Sequence, residues 1–150
     1  VLFGREVLQP RLIAWYGDVP YRYSGRTLDP SPMIPPISAI TEQVSATCET
    51  EFNHVLLNRY RDGNDSMGRH RDDEPELGDA PTVATLSLGA RRRFSVYRSK
   101  QRVWTEGLGA GDLLVMRGRF QHELAHELPK QRSVKAERIS LTFRKIAAGD

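Results

Sequence analysis

The 150-residue sequence contains one cysteine, Cys48, which excludes an internal disulfide framework and any zinc site built on paired cysteines. At this length one domain can bury a real core without such staples, so Cys48 is expected to be a small buried apolar residue. Long hydrophobic runs are missing too. The stretches Val83–Leu88 and Leu113–Met116 fall far short of the ~20 residues that span a bilayer, so a soluble protein without membrane association is expected. No charged segment followed by an apolar one opens the chain, and Val1 stands where an initiator methionine would, so the natural protein is expected to extend N-terminally. An acidic excess is also absent. The net charge is +3, and Arg91, Arg92 and Arg93 form a run that reads either as a solvated basic turn or as a contact for an anionic partner.

Proline is concentrated between Asp29 and Pro36, where the fixed φ and the missing amide donors predict a loop. Behind it Ile37, Ile40, Val44 and Cys48 recur at helical spacing, which predicts an amphipathic helix over 37–48. Downstream the period shortens. Strands are predicted at Val55–Arg61, Thr82–Leu88, Arg93–Arg98, Arg102–Thr105, Asp112–Arg117 and Arg138–Lys145, several of them separated by glycine. Many short strands with a helical flank predict a mainly β fold, either a barrel or a double-sheet jelly roll.

Three pairs or sets of residues carry chemistry. His70 and Asp72 in Gly-Arg-His-Arg-Asp-Asp-Glu stand two apart, so an extended backbone turns both to one face, where they can share a metal ion. A second histidine would complete a two-histidine, one-carboxylate site that leaves positions open for a chelating ligand and O2. Spacing does not decide between His122 and His126 for that role. In the last strand Arg138, Ser140, Thr142 and Arg144 share one face, while Ile139, Leu141 and Phe143 share the other. If the arginine face turns inward it needs anionic partners, and a 2-oxo dicarboxylate would suit both guanidinium forks. Turned outward, the face would simply be solvated. Asn58 and Tyr60, again two apart, could hydrogen-bond the same ligand from a neighbouring strand.

Taken in order, Asn58 to Gly63, His70 to Glu74, Ala84 to Gly89, His126 with Leu128-Pro129, and Arg138 to Arg144 resemble the core of the AlkB-like Fe(II)/2-oxoglutarate-dependent dioxygenases over nearly the whole chain. The resemblance implies a double-stranded β-helix (jelly-roll) core with a flanking helix, in one domain covering residues 1–150. It implies His70, Asp72 and His126 as iron ligands and leaves His122 a bystander. Asn58, Tyr60, Arg138, Ser140, Thr142 and Arg144 would bind 2-oxoglutarate, although Ser140 replaces the asparagine usual in that family.

The front of the chain is similar to the branch that repairs duplex DNA. Phe3, Gly4 and Arg5 look like its base-replacing finger, and Arg11 like a backbone-contacting arginine. Tyr21, Arg22 and Tyr23 resemble a segment that contacts the flipped base, and Asp73 and Glu74 resemble substrate-facing acids. The implied cofactors are Fe(II), 2-oxoglutarate as co-substrate, and O2. The implied reaction is oxidative demethylation of N1-methyladenine or N3-methylcytosine type lesions, releasing formaldehyde, succinate and CO2. Alkylated DNA is the expected partner, with RNA as a second candidate. A monomer is expected inside the cell, in the cytoplasm of a bacterium or the nucleus of a eukaryote. Two alternatives stand beside this one: an oxygenase of the same fold acting on RNA or protein, and a catalytically silent barrel that binds nucleic acid.

Overall fold

The computed structural model describes residues 9–147. Strands β1 (Leu12–Gly17), β2 (Tyr21–Tyr23) and β3 (Arg26–Leu28) precede helix α1 (Pro35–Cys48). Then come β4 (His54–Tyr60), β5 (Met67–His70), a single 3-10 turn at Pro75–Leu77, β6 (Val83–Gly89), β7 (Arg92–Arg98), β8 (Gln101–Leu108) and β9 (Leu113–Met116). A short helix α2 (Phe120–Glu123) leads into β10 (Ala125–Leu128), and β11 (Arg138–Arg144) follows.

The strands form a five-stranded sheet, β1-β4-β11-β6-β9, and a four-stranded sheet, β5-β10-β7-β8, with β2 and β3 paired as a separate hairpin. Every pairing between named strands is antiparallel. This is the expected jelly-roll core with its flanking helix, and the reason lies in β11. Its Leu141 and Phe143 pack with Val44 and Cys48 of α1 and with Phe52, Val55 and Ala84, and Ile139 joins this cluster from its edge. The polar face of the same strand turns the other way and is equally buried: Arg138, Ser140, Thr142 and Arg144 are 1–6 % exposed. The outward, solvated reading of the arginine face is thereby excluded.

Helix α1 starts two residues before the predicted boundary, because Pro35 and Pro36 occupy the first turn, where a missing amide donor costs nothing. It ends at Glu49, whose left-handed φ of 51° lets the amides of Glu49 and Thr50 return to the carbonyls of Ala46 and Ser45. Burying Val44 and the apolar residues facing it is worth roughly 1.5–3 kcal/mol per large side chain, which fastens the helix to the outer face of the large sheet. A second cluster of Val83, Phe94, Val96, Leu108, Met116 and Leu128 fills the space between the sheets around Tyr60.

Arg92 departs from the expectation of a solvated or phosphate-facing basic run. Arg91 and Arg93 are exposed, but Arg92 is fully buried and donates to the carbonyls of Asp62, Asp65 and Pro129. It ties the loop after β4 to the chain after β10. Gly63 completes that junction, since a Cβ there would meet the Gln131 carbonyl oxygen at 1.8 Å. The two residues fix the relative placement of the strands that carry the polar cavity.

Candidate metal and co-substrate site

The two sheets bring the polar residues together by register. On the small sheet, His126 of β10 is paired directly with His70 at the end of β5, and their rings meet edge to face with centroids 4.2 Å apart. Asp72 follows His70 by two residues, and one ligand atom from each of the three side chains lies within 4.8 Å of the others. His70 Nδ1 lies 2.8 Å from the Gly68 carbonyl oxygen, which fixes the ring and leaves Nε2 for the cluster. His70 Nε2 is 3.9 Å from Asp72 Oδ1, and His126 Nε2 is 3.8 Å from Asp72 Oδ2.

His126 rather than His122 therefore joins the pair. His122 is exposed, on α2, with its ring against the Asp79 carbonyl.

These three residues fit an iron ion by their chemistry. Asp72 is 1 % exposed, and its Oδ2 has no hydrogen-bond partner among the described residues, a costly state for a buried carboxylate unless a cation meets it. Burial alone would raise the Asp72 carboxyl, but the Arg144 guanidinium and the two imidazoles hold it below the usual carboxylate range. Burial lowers His126 to about 3, aided by His70, so the imidazole stays neutral and can act as a ligand. Two imidazoles and one carboxylate on one side of an ion are the donor set of non-haem Fe(II) oxygenases.

Gln121 is a positioning residue that the sequence did not announce. It is 1 % exposed on α2, accepts a 2.9 Å bond from the Asp72 amide at Oε1, and points Nε2 at the Met116 sulfur. Its action runs through the backbone of Asp72, so no residue pattern marks it. Gln121→Ala is expected to weaken metal affinity about 10- to 100-fold while leaving all three ligands in place. Titration of the metal-free protein with Mn(II) checks this.

The residues expected to bind the co-substrate line the same cavity. Register pairs Arg138 with Tyr60 and Ser140 with Asn58 across β11 and β4, and all four line one cavity with Thr142, Arg144 and the metal cluster. Arg144 donates from Nη2 to Asp72 Oδ1 at 2.9 Å, and its charge is stabilised despite complete burial. Arg138 is different. It is 1 % exposed, its Nη2 donates to Ser87 Oγ at 2.8 Å, and its Nε has no partner among the described residues. Among the described residues it forms no ion pair, and burial pulls its pKa down while the nearby Arg92 adds repulsion.

Both guanidinium groups lie over the Tyr60 ring, Arg138 at 5.4 Å and Arg92 at 5.6 Å from its centroid. A buried cation with so few partners suits an anionic ligand. Ser140, in register between Asn58 and Ser87, puts a small hydroxyl where the resembled family has an amide.

The hairpin residues are placed more deeply than expected. Tyr21 and Tyr23 are 0 % and 6 % exposed and pack with Leu28, Leu56, Leu77 and Ile146, whereas Arg22 between them is exposed. Arg144 lies beneath both rings, 5.6 and 5.8 Å from their centroids. In this arrangement the two tyrosines are core aromatics that roof the arginine, and Tyr23 also lines the cavity. Arg11 also differs from its expected role. It is 9 % exposed, and its guanidinium bonds Asn58 and Tyr23 instead of projecting towards a phosphate. Asp73 is exposed beside Asp72. Glu74 is partly buried, and its carboxyl is raised mainly by that burial. Phe3, Gly4 and Arg5 lie outside the described residues.

His54, opposite Arg144 in the register, is a buried histidine with no partner on either nitrogen among the described residues and its edge against Tyr21. Burial, with Arg144 adding to it, lowers its pKa from 6.5 to about 4. The unfolded chain therefore takes up a proton between these values that the folded chain refuses. Stability present above pH 6.5 is lost as the pH falls towards 4. From pH 7 to 4.5 the metal-free protein is expected to lose about 2 kcal/mol through this residue. Urea unfolding should show a drop that is smaller in His54→Phe.

Comparison with known proteins agrees with this geometry. Residues 5–144 match the model of the 2OG-Fe(II) oxygenase superfamily. The chain is 41 % identical over 157 residues to the DNA oxidative demethylase ALKBH2 of Homo sapiens, covering 97 % of this chain and 60 % of that protein. It is 39 % identical over 150 residues to the alpha-ketoglutarate-dependent dioxygenase alkB homolog 3 of Mus musculus, covering 92 % and 52 %. The chain thus spans about half to three fifths of these relatives. Among solved structures, OsALKBH1 superposes with a TM-score of 0.62 at 18 % identity, over 89 % of this chain and 77 % of that one, which supports the fold.

Proposed function

Since this chain belongs to the 2OG-Fe(II) oxygenase superfamily, we propose that it oxidatively removes alkyl groups from damaged nucleic-acid bases, with Fe(II), 2-oxoglutarate and O2 as its cofactors. The observation that carries the reading is one cavity lined by His70, Asp72 and His126 together with Arg144 and with Arg138, which forms no ion pair among the described residues. His70, Asp72 and His126 would hold the iron. Asn58, Tyr60, Arg138, Ser140, Thr142 and Arg144 would hold the co-substrate. When bound, these groups supply the oxidising power that hydroxylates an N-linked methyl carbon, after which the hemiaminal collapses to formaldehyde and the unmodified base.

The protein's own part is to keep the His126 imidazole neutral and to hold Asp72 ionised and aimed by Arg144 and Gln121. The names of the ALKBH2 relatives support DNA as the substrate. Cationic lesions such as N1-methyladenine and N3-methylcytosine would suit the exposed Asp73 next to Asp72, because a carboxylate favours a positive base. Product analysis with methylated DNA, methylated RNA and methylated peptide tests the proposal. Formaldehyde and repaired base from the DNA are expected, and turnover of peptide alone would overturn it.

A further inference from the structure

We infer that Arg11 is a positioning residue for the co-substrate: it forces both Asn58 and Tyr23 to present hydrogen-bond donors to the cavity. The inference rests on the proposed 2-oxoglutarate site. Arg11 Nε donates to Asn58 Oδ1 at 2.7 Å, and Nη2 of the same guanidinium donates to Tyr23 Oη at 2.8 Å. All three side chains are at least nine-tenths buried, so the bonds are shielded from competing water.

The direction of these bonds is chemically fixed. A guanidinium has donors and no acceptor, so the atom of Asn58 that faces Arg11 must be the amide oxygen. The amide nitrogen is thereby left to the cavity that Asn58 lines. Tyr23 is constrained in the same way. Its hydroxyl oxygen accepts from Arg11, which leaves the proton to point elsewhere, and the group it meets is the Met67 sulfur at 3.9 Å, itself a weak acceptor in the cavity wall. An oxygen anion entering the cavity would take both donors in preference to that sulfur.

One cation therefore sets the hydrogen-bonding sense of two neutral side chains on different elements, the strand β4 and the β2–β3 hairpin. It adds Tyr23 to the donors available to a carboxylate, and it ties the position of the hairpin to occupation of the co-substrate site. A free Asn58 could rotate its amide and offer an oxygen to an anion, which is repulsive. Arg11 prevents that.

The test measures binding of 2-oxoglutarate to the Mn(II)-loaded protein by calorimetry in wild type, Arg11→Met, Tyr23→Phe and the double variant. The Arg11→Met protein is expected to show at least a 10-fold higher Kd, Tyr23→Phe a smaller rise, and the double variant little more than Arg11→Met alone, since the hydroxyl acts through the same contact. The side-chain NH2 resonances of Asn58 should shift on adding 2-oxoglutarate to wild type and stay unshifted in Arg11→Met. Tyr23→Phe keeps the ring and its packing, so it reports even if Arg11→Met folds poorly. Wild-type Kd in Arg11→Met and Tyr23→Phe, with only oligonucleotide affinity reduced, would overturn the inference in favour of a phosphate contact. Failure of the wild-type protein to bind 2-oxoglutarate would instead overturn the proposed function, and the inference with it.

Discussion

Asp72→Asn is expected to abolish turnover and to lower the stability of the metal-free protein by about 3–5 kcal/mol, whereas His70→Ala should abolish turnover at little cost to stability. The difference follows from what each side chain touches. Asp72 and Arg144 form an ion pair at 2.9 Å whose side chains are 1 % and 3 % exposed. Removing the carboxylate strands a fully buried guanidinium, and the amide that replaces it can accept one bond but carries no charge. His70 is partly exposed, and its bond is to a neighbouring carbonyl, so its loss opens the site without leaving a buried charge. Urea unfolding at neutral pH, run with a turnover assay, separates the two effects. Asp72→Asn combined with Arg144→Gln should regain much of the stability and none of the activity. Equal stability of Asp72→Asn and wild type would show that Arg144 finds another partner.

Arg138→Met should act in the opposite sense on stability. The guanidinium is buried with one neutral hydrogen bond and no ion pair among the described residues, so a methionine of similar reach should stabilise the co-substrate-free protein by about 1 kcal/mol or more. In the proposed site the same change would remove a charge offered to a carboxylate of 2-oxoglutarate. Truncating one partner of a buried, hydrogen-bonded charge pair costs about 2–5 kcal/mol. At 1.4 kcal/mol per decade, KM for 2-oxoglutarate should rise from about 30-fold to a few thousand-fold. Stability and co-substrate affinity would then move in opposite directions from one substitution. A fall in stability with unchanged KM would mean that Arg138 is structural.

The residues legible in the sequence were those whose spacing alone sets their direction. His70 with Asp72, Asn58 with Tyr60, and the four polar positions from Arg138 to Arg144 are all two apart on extended backbone, and the structure turns each set to one cavity. Which face of β11 was inward could not be read locally, because both faces are buried and only the packing of α1 against Leu141 and Phe143 decides. His126 was separated from His122 by register with His70, a long-range property.

The short strands β1, β2, β3, β5 and β10 escaped periodicity because three to six residues carry too little alternation to stand out. The hidden roles of Arg11, Arg92 and Gln121 escaped for another reason. Each long polar side chain is buried by tertiary contacts with groups that lie from 27 to 49 residues away in sequence, except the Arg11 bond to Tyr23 at 12 and the Gln121 bond to Met116 at 5. No local pattern announces such burial.

The most direct test of one shared metal and co-substrate cavity is a single-turnover experiment. The protein is loaded anaerobically with Fe(II), 2-oxoglutarate and a DNA oligonucleotide containing N1-methyladenine, then exposed to O2 while succinate and formaldehyde are counted. One succinate and one formaldehyde per repaired base are expected, with neither formed by His70→Ala. Repair that proceeds without Fe(II), or an intact loaded protein that forms no succinate, would contradict a shared cavity.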